Sequence, residues 1–141
     1  MITNLYNRDF NEWAKQTAIA IKNRDIEAMD WENLLEEIED MSKSEKRSLE
    51  SYLERLIEHI LKLQYWDEQK EQNTKHWQAE VVNFRNRIKR LLKRSPSLKN
   101  HMTEVYTEIY QDAVASRKRE FDIPENNNMN LEEILKEDFF G

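Results

Sequence analysis

The chain has 141 residues, with 22 Lys and Arg against 28 Asp and Glu, a formal net charge of −6, and apolar and charged shares of 38% and 35%. That length fits one domain burying roughly 70% of the surface its unfolded form exposes, and the charged composition leaves a thin core assembled from stripes on otherwise polar helices. Absence of cysteine excludes a disulfide framework, cysteine catalysis, zinc knuckles and iron–sulfur clusters together.

The opening MITNLYNRDF has neither a basic n-region nor an apolar h-region, and no apolar run approaches the ~20 residues of a membrane span. A soluble cytoplasmic protein is expected. One glycine and two prolines leave few places for turns, and hydrophobic periodicity predicts helices almost throughout. The fold class read from this pattern is all-α: a single-domain elongated bundle over residues 1–141, with about five helices and a short C-terminal one, arranged in two antiparallel hairpins.

The first helix is predicted from Asp9 to Asn23. Asp9 is its N-cap, Glu12 stands in the capping-box position, and Phe10, Trp13, Ala14, Thr17 and Ile21 share one face. The second spans Trp31 to Met41, capped by Asp30 and stapled by Met29 and Leu34, with Trp31, Leu34, Ile38 and Met41 as its buried face. Ser42 and Glu45 then spell a capping box, which predicts a break at Lys43. The third helix, to Trp66, buries Leu49, Tyr52, Leu53, Leu56, Ile60 and Leu63, and at 100° per residue His59 falls on the flank of this stripe.

The polar stretch Asp67 to Asn73 reads as a loop. From Thr74 to Arg94, Trp77, Val81, Phe84, Ile88 and Leu91 form the cleanest amphipathic repeat in the chain. Pro96 fits the first position of the next helix, whose stripe is Leu98, Met102, Val105, Tyr106, Ile109 and Ala113. Pro124 and the three asparagines Asn126 to Asn128 make a loop. Asn130 with Glu133, and Met129 facing Ile134, then cap a last helix to about Asp138.

Charge is segregated. Asp25 to Glu50 holds ten acidic residues against Lys43, Lys46 and Arg47, whereas Val81 to Thr103 has no acid and carries Arg85, Arg87, Lys89, Arg90, Lys93, Arg94 and Lys99.

Tyr6-x-x-Asp9-Phe10-x-x-Trp13-Ala14-x-x-Thr17-Ala18, Asp30-Trp31-Glu32-x-Leu34-x-Glu36-Glu37-Ile38-Glu39-x-Met41 and Ser44-Glu45 resemble the bacterial domain of unknown function family twenty-nine, abundant in cyanobacteria. Leu56-x-x-His59-Ile60-Leu61-Lys62-Leu63-Gln64-Tyr65, Trp77 and Leu92-x-x-Ser95-Pro96-Ser97-Leu98 continue the pattern over nearly the whole chain. The resemblance implies an all-helical single domain and carries no biochemical activity. The chain departs from the pattern where Asn23-Arg24 and Ser42 replace glycines, where Leu63 replaces Trp, and in lacking a Cys-Pro tail.

Candidate chemistry is sparse. A bundle metal site uses inward Glu-x-x-His pairs, and none of the three histidines has Glu three residues before it. No metal site and no cofactor is expected. The serines Ser42, Ser44, Ser95 and Ser97 read as caps and turn residues rather than nucleophiles. Arg94 with His101 has the spacing of some small helical ribonucleases, interrupted by Pro96. The tryptophans at helical spacing read as core rather than a cofactor pocket. Asp30, Glu37, His59 and Lys62 remain as a candidate polar cluster, with Glu37 as a partly buried salt-bridge partner and Lys62 pairing with a carboxylate of the second helix.

Lys and Arg on one helix neutralise phosphates without reading sequence, so the basic helix 85–99 is the strongest functional signal. It fits acidic neighbours within the monomer or across a dimer, an acidic protein partner, or nucleic acid. The expected function is therefore a non-enzymatic interaction or structural domain that binds a protein partner or self-associates, a homodimer being consistent with so thin a core. The alternatives are a nucleic-acid-associated protein using that helix and a weakly specified hydrolase or nuclease centred on His59.

Overall fold

The computed structural model describes residues 2–141, with side-chain surroundings from Leu5 onward. Its elements are α1 (Ile2–Arg8), α2 (Phe10–Lys22), a 3-10 turn (Ile26–Ala28), α3 (Trp31–Tyr65), α4 (Asp67–Arg94), α5 (Leu98–Arg117) and α6 (Leu131–Ile134). Among the described residues there is no strand, and the all-α reading holds. Two compact units are built on this order, Met1–Ser44 and Glu45–Gly141.

In the N-terminal unit, α2 starts as its sequence dictates: the Asp9 carboxylate accepts from the Glu12 backbone N–H, filling one of the donors a helix start leaves unpaired. Trp13, Thr17 and Ala20 are its buried residues. Phe10 and Ile21, placed on the inner face by the periodicity, are instead more than half exposed. The exit from α2 passes through Arg24 at φ 53°, a left-handed conformation that disfavours any residue with a Cβ. This is one of the two positions where, by the resemblance noted above, a glycine is expected.

The expected break at Lys43 does not form. The α3 helix runs unbroken from Trp31 to Tyr65, so the predicted second and third helices are one element and do not fold back as a hairpin. Ser42 is a helix-interior residue. Nothing between Glu32 and Gln64 breaks a helix: the stretch has no Gly or Pro and is rich in Glu, Leu and Lys, all good helix formers. A capping signature competes poorly there, since stopping a helix costs backbone hydrogen bonds that one side-chain cap does not replace.

The C-terminal unit is three packed helices with a strap. Residues 45–65 of α3 run antiparallel to α4, as the Tyr52–Phe84 and Lys62–Trp77 contacts show. They run in the same direction as α5, through His101–Glu50 and Arg117–Glu58. Leu49, Leu53, Leu56, Ile57, Ile60 and Leu61 are fully buried and meet Trp77, Val81, Phe84 and Ile88 of α4 and Leu98, Met102, Ile109 and Ala113 of α5. These are the stripes the periodicity predicts, widened by Ile57 and Leu61.

Two predicted boundaries move. The polar stretch 67–73 is helical, because Asp67 and Glu68 occupy the first turn of α4, where carboxylates favour the helix dipole, and its remaining residues are helix-tolerant. Only Trp66 separates α3 from α4, stacked on Trp77 and Phe121 at 5.8 and 5.0 Å. At the other turn the helix begins at Leu98 rather than Pro96.

The segment after α5 returns along the bundle. Phe121, Ile123, Met129 and Ile134 join the core. The capping box at α6 forms as its sequence predicts, Asn130 accepting from the Glu133 N–H and the Glu133 carboxylate accepting from the Asn130 N–H. The helix ends at Ile134, short of Asp138.

Candidate functional site

The four residues of the candidate cluster divide between the units, and each is engaged by neighbours of its own. In the N-terminal unit Asp30 accepts from the Trp13 indole N–H at 3.1 Å and from the Asn33 side-chain amide at 2.7 Å. Its other oxygen lies 3.5 Å from the Asn33 backbone N–H. Glu37 accepts from the Tyr6 hydroxyl at 2.5 Å; it is held by a phenol rather than by the cation that the sequence suggested. That bond, with burial and nearby acids, pushes the Tyr6 hydroxyl up to about 12.

In the C-terminal unit His59 is half-buried, its Nδ1 2.7 Å from the Arg55 carbonyl and its ring 5.7 Å from that of Phe84. A bond to a carbonyl fixes Nδ1 as the protonated nitrogen. Burial lowers its pKa below the usual histidine value, the Arg55 carbonyl opposes that, and the Lys62 charge adds to it. The Lys62 ammonium lies over the Trp77 ring, 5.9 Å from its centroid, a cation–π contact in place of the expected carboxylate. Among the described residues, no group of three or more His, Asp and Glu side chains gathers as a metal shell.

The other sequence candidates are similarly committed. Arg94 lies 3.9 Å from Glu45 and His101 3.0 Å from Glu50, so each member of the ribonuclease-like spacing faces a carboxylate of α3. Glu45 accepts from the Ser95 hydroxyl at 2.9 Å. The predicted capping-box residue thus ties the α4–α5 turn to α3.

The basic set does not form one surface. Arg85 is 2% exposed, and its guanidinium donates to the carbonyls of Ile134, Glu137 and Phe139 at 2.9, 3.1 and 2.6 Å. It is a clamp on the C-terminal segment and is unavailable to a partner. Lys89 pairs with Glu137 at 3.4 Å, and Arg87 lies over the Tyr52 and Phe84 rings. Arg87, Arg90, Lys93, Arg94 and Lys99 are the members that remain exposed.

A groove of about 680 Å³ opens beside α5, lined by Tyr106, Tyr110, Val114, Asn127, Met129 and Leu131 among others. Both phenols are occupied, Tyr106 donating to the Met129 carbonyl and Tyr110 to Asn127 Oδ1. Burial raises both hydroxyls, that of Tyr110 to about 12, so neither supplies a base near neutral pH.

What sequence reasoning missed lies in the N-terminal unit. Phe10, Ile19, Ile21, Ile26, Trp31, Leu35, Ile38 and Met41 are each between 52% and 70% exposed, and among the described residues Val82 alone of the other large exposed apolar side chains lies elsewhere. Three of the four α3 residues assigned to the core are therefore outside, Trp31, Ile38 and Met41 being 58%, 56% and 59% exposed, while Leu34 is partly buried. Asn33 and Glu37 face inward instead.

An all-helical protein with a conventionally packed C-terminal bundle and an N-terminal unit showing an apolar face is the class these observations define. Residues 5–140 match the family described as Domain of unknown function DUF29. The chain belongs to that family. No curated protein and no solved structure matches it. Among the described residues no helix is long and apolar enough to cross a membrane.

Proposed function

We propose that this chain is a non-enzymatic interaction module and that the apolar face of its N-terminal unit is the binding surface. The single observation supporting this is the concentration of exposed large apolar side chains between Phe10 and Met41. Side chains left this exposed forfeit roughly half of the 1.5–3 kcal/mol that full burial of each contributes, and an exposed apolar stripe such as Trp31, Leu35 and Ile38 along one face of α3 marks a protein-contact surface. An enzymatic reading centred on His59 has less support, because the ring is held by a carbonyl and an aromatic neighbour.

The test is a photo-crosslinking amino acid placed at Leu35, with a control at the exposed Gln111 of α5. A discrete adduct from position 35, to another protein or to a second copy, and none from position 111 is the expected result. Equal labelling from both positions, or none from either, overturns the proposal.

A second reading has one observation in its favour. Arg87, Arg90 and Arg94 are exposed and, at 100° per residue, fall within about 60° of one another on α4, a spacing suited to phosphates. Binding of mixed-sequence DNA or RNA that weakens steeply with salt would support it, and salt-insensitive or absent binding removes it.

A further inference from the structure

Resting on the interaction reading above, we infer that the exposed stripe of α3 receives a basic amphipathic helix from a partner protein. Trp31, Leu35 and Ile38 are spaced i, i+4, i+7 and lie within about 60° of arc, with Met41 at the margin. That is the register by which one amphipathic helix is read by another.

Charge selects the occupant. Between Arg24 and Lys43 the sequence has no Lys or Arg but carries Asp25, Glu27, Asp30, Glu32, Glu36, Glu37, Glu39 and Asp40. Glu32, Glu36 and Glu39 are exposed and border one side of the stripe. Glu32 with Glu36, and Glu36 with Asp40, are like charges at i, i+4, a spacing that destabilises a helix. Among the described residues none of these carboxylates takes part in an ion pair. A run of unrelieved repulsion beside an uncovered apolar stripe is complementary to leucines flanked by lysines or arginines.

The same charges disfavour a second copy. A two-fold contact sets the same patch on both subunits and would bring the acidic border of one α3 against that of the other, which costs affinity. A second copy would have to offer its basic α4 to the stripe instead, a different pair of surfaces, and the oligomeric state tests for that.

The experiment titrates the full chain into two fluorescein-labelled synthetic helices that share leucines at i, i+3, i+4 and i+7, one with lysines at the remaining positions and one with glutamates, read by fluorescence anisotropy. The lysine peptide is expected to bind at least about tenfold more tightly than the glutamate peptide, a difference of about 1.4 kcal/mol. The triple variant Trp31→Ala, Leu35→Ala, Ile38→Ala keeps every charge and alters only exposed side chains, so circular dichroism should be unchanged while binding falls at least about tenfold. The triple variant Glu32→Gln, Glu36→Gln, Glu39→Gln should lose affinity and salt dependence together.

Equal binding of the two peptides, no binding of the lysine peptide, or binding indifferent to the alanine variant overturns the inference. If the lysine peptide fails while Leu35 still crosslinks to a partner or a second copy, the occupant is wrong and the interaction module stands. Failure of both removes both. Sedimentation velocity showing a dimer abolished by the alanine variant identifies a second copy as the occupant and overturns the basic partner.

Discussion

Arg85 brings a positive charge into the interior with no ion pair among the described residues, offsetting its desolvation through three backbone carbonyls, a contact of 5.7 Å with the Phe140 ring and the nearby charges of Asp138 and Glu137. Such a cation stabilises only while its partners stay in place. Arg85→Met should cost about 2–4 kcal/mol, because it strands acceptors that the folded chain has removed from water; urea denaturation measures this, and an unchanged midpoint would show that solvent satisfies those carbonyls. His59 gives a pH-dependent prediction. Its folded pKa lies below the ordinary value because burial disfavours the charged ring, so the unfolded chain binds the extra proton more readily. The stability from the neutral ring is present above the unfolded pKa of about 6.5 and is lost as pH falls below it. The difference in melting temperature between wild type and His59→Gln should therefore shrink from pH 7.5 to pH 5.5; a constant difference would show that the ring charges freely in the fold. Both residues were partly legible in the sequence. The flank position of His59 followed from helical period, and Arg85 falls about 40° beyond Val81, at the edge of the arc of Val81, Phe84 and Ile88, a signal outweighed by its membership in a basic run.

At the level of elements, local capping signals held at two helix starts and failed at a third. Asp9 and Asn130 cap their helices as read, since a cap bond depends on residues three apart and little else. Ser42 and Glu45 present the same signature and do not cap, because the backbone continues through them. Substitution separates the two roles. In the continuous helix Ser42→Ala should be neutral or stabilise by up to about 0.5 kcal/mol, whereas loss of a true N-cap serine would cost about 1 kcal/mol; thermal or urea denaturation decides. The polar residues 67–73 became helix for the same reason, as composition marks solvent exposure and not conformation.

For the whole molecule, the two units differ in how much apolar surface they bury. Among the described residues the N-terminal one buries Trp13 and Ala20 with Thr17 and Asn33, while the C-terminal one owns a continuous cluster from Leu49 to Ile134. Opening free energy follows buried apolar contact, so native-state amide exchange should be faster in Phe10–Lys22 than in the α3 segment Leu49–Leu63. Equal protection would mean that the units open as one. Sequence alone determined that the chain is helical, where most apolar stripes run, where two helices are capped and which family it resembles, because these depend on residue type and on neighbours a few positions away. Only the tertiary structure decided that α3 is unbroken, that Arg85 is a clamp, and that the stripe of Trp31, Leu35 and Ile38 faces water. Hydrophobic period states that a face wants covering; whether the chain itself covers it depends on residues brought together from distant positions.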